Sequence, residues 1–174
     1  MIAAFVLTYD KLQVLKNPAY QPSCNINPIL SCGPLMAEEQ SSLLGIPNPI
    51  FGLMGFSVLI ALGIILRGGA TFKKWVWLSI NTGTLAGTIF AYYLFFQGVF
   101  RINVICPYCF VVWMIMPPIL WYTTLYNLEK GYLKLSQRPK AYILRRHGDI
   151  LIAWYVLIFG LLAEHFWYYW KTLI

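Results

Sequence analysis

Long runs without a charged residue constrain this chain more than any other feature. One run extends from Ile102 to Leu128 and contains no Asp, Glu, Lys or Arg. About 20 apolar residues are enough for a helix to cross the hydrocarbon core of a bilayer. Charged residues make up only 11% of the sequence, whereas soluble globular domains usually contain about 25%. The sequence therefore predicts an all-α integral membrane protein.

The apolar runs divide the 174 residues into predicted membrane spans. Four runs have the necessary length, at about 46–68, 74–98, 104–128 and 149–170. The stretch 1–15 is apolar only as far as residue 9, which is too short for a span unless the helix continues through Asp10 and Lys11, and we interpret it as the end of a first helix. A signal peptide is not expected there, because no basic segment precedes the stretch. With a polar loop at 16–45 and a basic linker at 129–148, the chain is predicted to form a single transmembrane domain.

The basic residues predict the orientation of the spans. Nine of the 13 lysines and arginines lie in two connections: Arg67, Lys73, Lys74, Lys130, Lys134, Arg138, Lys140, Arg145 and Arg146. Cytoplasmic loops of membrane proteins are enriched in such residues. The loop 16–45 and the turn before residue 104 should then both lie on the extracytoplasmic side. Because the positive charge is explained by the ends of spans, the net charge of +7 does not indicate nucleic-acid binding.

The four cysteines form two pairs. Cys24 and Cys32 lie in the polar loop, while Cys106 and Cys109 belong to a Cys-Pro-Tyr-Cys motif at the start of a span. Both pairs are predicted on the extracytoplasmic side, where disulfides persist. A CxxC bridge closes a very small ring and constrains the unfolded chain little, so such pairs are more often redox-active than structural. For Cys24 and Cys32, a structural disulfide remains an equal alternative.

The sequence around the CxxC motif favours a reactive thiol. Pro107 suits the first position of a helix, which would make Cys106 the N-cap, although Asn103 is a second candidate for the cap. Free N–H groups and the helix dipole at an N-terminus lower the pKa of a cysteine. Cys109 would lie one turn deeper in the membrane. We therefore expect Cys106 to exchange with protein thiols and Cys109 to face a hydrophobic oxidant.

Metal and haem sites fit the cysteines less well. Zinc sites usually combine pairs of cysteines separated by two to four residues, but seven residues separate Cys24 from Cys32. Haem attachment requires a histidine directly after the CxxC motif, and Phe110 occupies that position. No metal ion is predicted.

Three motifs together resemble the vitamin K epoxide reductase family, and in particular its bacterial members. The motifs are Cys24-x7-Cys32-Gly33, Asn48-Pro49-Ile50-Phe51-Gly52 and Cys106-Pro107-Tyr108-Cys109. Their order and spacing match over roughly residues 8–121. The resemblance implies a bundle of four core transmembrane helices around a quinone, to which this chain adds one C-terminal transmembrane helix. It also implies disulfide chemistry coupled to that quinone.

The resemblance implies a role for each cysteine. Cys109 would be the cysteine next to the quinone and Cys106 its partner. Cys32 would form the transient bridge to Cys106, and Cys24 would exchange with a thioredoxin-like protein outside the cytoplasm. Some bacterial members carry a fused thioredoxin-like domain. No such domain is found in this sequence, so a separate partner is expected.

Three further residues are implied to bind the quinone. Asn48 matches an asparagine that hydrogen-bonds a quinone oxygen, and Phe51 matches an aromatic residue of the pocket. A structural role for Asn48 stays open, because Asn followed by Pro is a good start for a helix. Trp113 stands where members that handle vitamin K carry a tyrosine. An indole N–H donates a hydrogen bond but does not accept one, which permits contact with a quinone oxygen and does not favour epoxide chemistry.

These observations predict a membrane thiol oxidase of the plasma (inner) membrane. It would reoxidise an extracytoplasmic thioredoxin-like protein and pass the electrons to ubiquinone or menaquinone. One alternative is the other four-helix class of quinone-linked disulfide oxidases, against which the motif beginning at Asn48 argues. A second alternative is a non-catalytic membrane scaffold with two structural disulfides.

Overall fold

The computed structural model describes residues 1–17, 19–43 and 45–171, without the side chains of residues 169 and 170. Most of these residues are helical. The helices are α1 (Ile2–Lys16), α2 (Gly33–Ala37), α3 (Asn48–Arg67), α4 (Lys74–Phe96), α5 (Pro107–Glu129), α6 (Gln137–Arg145), α7 (His147–His165) and α8 (Trp167–Trp170). The shorter elements are a 3-10 turn (Glu39–Ser41), the antiparallel strands β1 (Ser42–Leu43) and β2 (Ile46–Pro47), and a π-helical segment (Gln97–Ile102).

Within the described residues, four helices have the length and apolar composition needed to cross a membrane. They are α3, α4 continued through the π-helical segment to Ile102, α5 and α7. Together with the very small strand content of the described residues, they make the protein an all-α membrane protein, as predicted. Helix α1 has 15 residues. Helix α7 ends at His165, because Phe166 leaves the helical conformation with φ −94° and ψ 17°.

Sequence signals account for where several helices begin and end. After α3 ends at Arg67, Gly69 adopts a positive φ of 86°, a conformation that glycine tolerates best. Asn103 ends the π-helical segment in the left-handed conformation, with φ 60°. Helix α5 begins at Pro107, whose fixed φ suits the first helical position. Of the two candidate caps, Cys106 is therefore the residue that directly precedes α5.

The chain divides into two compact units. Unit 1 comprises residues 1–72 and 91–113, and unit 2 comprises residues 73–90 and 114–174. All four cysteines and the other three predicted site residues belong to unit 1. Unit 1 therefore contains every residue that the sequence predicts for the site.

Unit 2 contains polar and aromatic contacts between its helices. Asn81 Nδ2 donates a hydrogen bond to Thr124 Oγ1 at 2.8 Å, and the rings of Trp77 and Tyr126 stack at 3.9 Å. Where a helix lies in lipid, polar side chains need partners on neighbouring helices, because no water is available. These pairs explain the polar residues in two otherwise apolar helices.

In unit 1, α1 packs closely against α3. The contact is made by small residues: Ala4 is only 3% exposed, and a Cβ built on Gly52 would lie 3.5 Å from the Ala4 Cβ. A Cβ at this distance makes an ordinary van der Waals contact, so only a side chain longer than that of alanine would crowd α1. Gly55, one turn further along α3, has nothing within 4 Å of its Cβ position. The neighbouring α1 thus limits the size of the residue that ends the motif beginning at Asn48.

Replacing Gly52 with leucine should destabilise unit 1, because the new side chain would overlap Ala4. Overpacking of this kind costs about 1–3 kcal/mol. The measurement is the thermal unfolding midpoint in detergent, with Gly55→Leu as the matched control on the open side of the same helix. Equal midpoints for the two variants would contradict the α1–α3 contact.

Candidate thiol–disulfide site

The four cysteines come together in unit 1. Cys24 and Cys32 form a disulfide, whereas Cys106 and Cys109 are free thiols. The Sγ atoms of Cys32 and Cys106 lie 2.8 Å apart. Cys24, Cys32 and Cys106 are 3%, 0% and 1% exposed, and half-buried Cys109 packs against them. A disulfide and a dithiol thus meet in a site that is almost closed to solvent.

Backbone hydrogen bonds bring Cys32 and Cys106 side by side. A short parallel β-bridge joins the polar loop to the segment before α5. In this bridge Ser31 N donates to Ile105 O at 3.1 Å, and Ile105 N donates to Ile29 O at 2.7 Å. Because Ser31 and Ile105 each directly precede a cysteine, the bridge fixes the relative position of the two sulfur atoms.

The side chain of Asn25 joins the two ends of the disulfide loop. Its Oδ1 accepts three hydrogen bonds, from Ser31 Oγ at 2.9 Å, Cys32 N at 3.0 Å and Gly33 N at 2.9 Å. A Cβ on Gly33 would lie only 3.0 Å from the Asn25 amide nitrogen, so glycine allows this close approach. The loop has the irregular backbone that its composition predicts, but its own side chains tie it together. The sequence analysis did not single out Asn25.

The thiol of Cys106 is activated mainly by its CxxC partner. A hydrogen bond from the Cys109 thiol lowers the pKa of Cys106, burial opposes this, and the backbone N–H groups of Cys109 and Tyr108 lower it further. The negative charge of the nearby Asp10 carboxylate also raises the pKa of Cys106. The lowered pKa of Cys106 agrees with the direction predicted from the sequence. The largest cause, however, is a side chain rather than the helix N-terminus.

Two charged residues on α1 are buried beside the site, and the sequence analysis missed both as site residues. Asp10 is 2% exposed and Lys11 is 6% exposed. On the same helix, Leu7 and Val14 pack with the cysteine cluster. Residues three and four apart share one face of a helix, so Asp10 and Lys11 follow Leu7 on that face. The sequence signal for these two residues is therefore their spacing: Asp10 and Lys11 lie three or four residues from Leu7 and from Val14, on one face of the helix.

Both charges are used to hold the cysteine-bearing segments. The carboxylate of Asp10 accepts hydrogen bonds from Tyr20 Oη at 3.0 Å and from Ser23 Oγ at 3.2 Å. The first of these bonds raises the pKa of Tyr20, which keeps the hydroxyl protonated and able to donate. On the other side, Lys11 Nζ donates to the carbonyl of Met36, a member of the cysteine cluster. Helix α1 therefore supports the site from two directions.

Asn48 is the first residue of α3, and Pro47 is the capping residue. The alternative in which Asn48 is the N-cap is therefore wrong, because the helix begins one residue earlier. Asn48 Nδ2 instead donates to the carbonyl of Gln40 at 2.6 Å, while its buried Oδ1 has no hydrogen-bond partner among the described residues. Phe51 follows one turn later and is half-buried. The second N–H of Asn48 suits a quinone carbonyl and its free Oδ1 suits a hydroquinone hydroxyl, so these residues fit a quinone.

Trp113 lies one turn after Cys109 on α5 and is 2% exposed. Its ring meets the edges of two aromatic neighbours, Phe95 at 4.7 Å and Phe110 at 6.4 Å between centroids. Neither Trp113 nor Phe51 is among the apolar residues that pack against the cysteine cluster. The four cysteines therefore form one group, and Trp113 and Phe51 lie outside its immediate packing.

The sulfur atoms of Cys24, Cys32 and Cys106 lie within 4.8 Å of one another, which is close enough to consider a metal site. Metal binding by cysteine requires thiolates. Two of these three sulfurs are joined in a disulfide, so in this redox state they do not form a thiolate ligand set.

Four helices able to cross a membrane, and a disulfide in contact with a CxxC dithiol, define a multi-pass membrane protein with a thiol–disulfide exchange site. Residues 1–124 match the model of the vitamin K epoxide reductase family. The match covers more than half of the 174 residues, and the chain belongs to this family. The resemblance inferred from the three motifs is confirmed. Family members are disulfide oxidoreductases that are in general linked to quinones and to thioredoxin-like partners.

Removing the Cys109 thiol should make Cys106 a weaker acid. In a Cys24→Ser/Cys32→Ser background, which prevents exchange, Cys109→Ala should move the midpoint of Cys106 alkylation to higher pH. The reason is that a hydrogen bond donated to a thiolate stabilises the charged form. The alkylation rate of the Cys106 peptide is followed by mass spectrometry across pH, and Cys109→Ser, which keeps a donor, should shift the midpoint less. An unchanged midpoint in Cys109→Ala would contradict the assigned cause.

Proposed function

We propose that this protein is a membrane thiol oxidase. It reoxidises a thioredoxin-like protein outside the cytoplasm and passes the electrons to a membrane quinone. The observation that carries the proposal is the 2.8 Å separation between Sγ of Cys106 and Sγ of Cys32, which is already bonded to Cys24. Thiol–disulfide exchange proceeds by attack of a thiolate on a disulfide sulfur, and this contact supports such an attack in either direction.

The outer exchange is proposed to begin at Cys24. A thiolate of the partner attacks Cys24 Sγ, the bond to Cys32 breaks, and Cys32 leaves as a thiolate. A second partner thiol then attacks the mixed disulfide and releases Cys24, so that the partner has lost two electrons to the loop pair. Exposed Ser23 and Asn25 flank Cys24, whereas Cys32 is fully buried against Cys106. Cys24 is therefore the better point of attack.

The inner exchange is proposed to pass from Cys32 to Cys106. The Cys32 thiolate attacks Cys106 Sγ in the Cys106–Cys109 disulfide, and Cys109 leaves as a thiolate. Cys24 then attacks Cys32, which re-forms the loop disulfide and releases Cys106. The product is the redox state of this structure, with an oxidised loop pair and a reduced CxxC pair.

The residues proposed to hold the quinone are Asn48, Phe51 and Trp113. A quinone held there would supply an acceptor for the two electrons and two protons that Cys106 and Cys109 give up. Asn48 offers its second N–H as a donor and its unpaired Oδ1 as an acceptor. Cys109 closes the cycle by bonding again to Cys106. Because the strongest thioredoxin-like oxidants have potentials of about −120 mV, a respiratory quinone such as ubiquinone or menaquinone is the class of acceptor we propose.

The proposed location is the plasma (inner) membrane, with both cysteine pairs on the extracytoplasmic side. The support comes from the basic residues, of which six lie between α5 and α7: Lys130, Lys134, Arg138, Lys140, Arg145 and Arg146. Such clusters mark the cytoplasmic ends of spans. An extracytoplasmic site also meets no glutathione pool that would reduce the loop disulfide.

Each cysteine should have a distinct effect on turnover. Cys106→Ser and Cys109→Ser should abolish quinone reduction with any thiol donor, because neither variant can form the inner disulfide. Cys24→Ser should abolish turnover with a reduced thioredoxin-like donor but retain some with a small dithiol. The measurement is quinone absorbance in detergent with ubiquinone and menaquinone analogues. Substantial activity in Cys106→Ser or Cys109→Ser would contradict the mechanism. If both pairs of the wild type stay oxidised when it meets the donor, the scaffold alternative is correct.

Asn48→Ala should weaken quinone binding without affecting the exchange between cysteines. Loss of one hydrogen bond of about 1 kcal/mol predicts a rise in the KM for quinone of about fivefold to tenfold. The matched measurement is single-turnover reduction of the Cys106–Cys109 disulfide by the donor in the absence of quinone. An unchanged KM, or an equal loss in the exchange step, would argue against a role in binding.

A further inference from the structure

The proposed cycle opens the Cys24–Cys32 disulfide in every turnover and must then close it again. Seven residues separate the two cysteines, and a flexible loop of that length allows its ends to move apart. How readily the disulfide forms again depends on the effective concentration of one sulfur near the other. The loop therefore needs a second connection that does not use the sulfur atoms.

We propose that Asn25 is the positioning residue that keeps Cys32 in place while the loop disulfide is open. This role rests on the proposed function. Asn25 follows Cys24 directly, and its Oδ1 accepts hydrogen bonds from the backbone N–H groups of Cys32 and Gly33 and from the Ser31 hydroxyl. The connection thus joins the two ends of the loop through atoms that reduction of the disulfide leaves unchanged.

A second observation shows that the backbone is built around this side chain. A Cβ on Gly33 would approach the Asn25 amide nitrogen to 3.0 Å, so glycine lets the asparagine keep its present position, whereas another residue would push it away by a few tenths of an ångström. Ser31, one of the three donors, also donates its N–H to Ile105 beside Cys106. Asn25 therefore holds Cys32 toward both of its exchange partners, Cys24 and Cys106.

All three groups that contact the Asn25 side-chain oxygen are donors, so the oxygen is the part of the side chain that matters. Aspartate presents an oxygen at the same position and should replace asparagine. Alanine presents none. Asn27 offers a matched control in the same loop, since its Oδ1 also accepts backbone hydrogen bonds, from Ile29 N at 3.0 Å and Leu30 N at 2.7 Å, neither of which belongs to a cysteine.

The test is the equilibrium constant for closing the Cys24–Cys32 disulfide in dithiothreitol redox buffers. The full-length chain is used in detergent with Cys106→Ser/Cys109→Ser, so that only the loop pair titrates, and the states are trapped by alkylation and separated by mass. Asn25→Ala should lower this constant about tenfold, which is a shift of about 30 mV toward a more oxidising potential. Asn25→Asp should stay within about threefold of the wild type, and Asn27→Ala should shift the constant less than Asn25→Ala does.

Three results would overturn the proposal. They are a constant for Asn25→Ala that equals the wild type, an equal shift in Asn27→Ala, and an Asn25→Asp variant as impaired as the alanine variant. The titration contains neither quinone nor protein donor. It therefore reports on Asn25 even if the wild type fails to reduce quinone in the separate turnover assay.

Discussion

The backbone pairing of Ser31 and Ile29 with Ile105 is the interaction on which the site depends. The loop cysteines and the membrane cysteines lie far apart in the sequence. The apolar runs predict the spans, but they do not predict how the two cysteine pairs come into contact. Two hydrogen bonds set the register between the two segments, and that register brings Cys32 and Cys106 into contact. The side chains of Asn25, Asp10 and Lys11 then hold the rest of the loop around this pairing.

Much of the architecture could be predicted from the sequence because it follows from local rules. Charge-free runs of sufficient length must form helices in lipid, since every backbone polar group there needs an internal partner. The start of α5 followed from Pro107, and the family followed from three motifs whose order is visible in the chain. These features depend on residues close together in sequence.

The details of the site could not be predicted in the same way, because they depend on contacts between distant segments. In the sequence, Asp10 and Lys11 are two charges that interrupt an apolar stretch. In the structure both are buried, and both make hydrogen bonds to residues beyond the end of α1. Asn48 was a reasonable helix cap by its neighbour Pro49. In the structure α3 begins one residue earlier, directly after β2, and the amide of Asn48 donates to the Gln40 carbonyl. In each case tertiary packing decided among several local options.

The near-complete burial of the disulfide has a consequence for selectivity. With Cys24 and Cys32 only 3% and 0% exposed, a small thiol in the surrounding medium meets almost no sulfur surface along the line of attack. In the proposed cycle a protein donor supplies binding surface to shift the segment that Tyr20 and Ser23 tie to Asp10, so it opens the disulfide faster than a small dithiol, which reacts only when the loop opens by itself. In the proposed cycle, burial of both sulfur atoms therefore slows the loss of oxidising equivalents to other thiols.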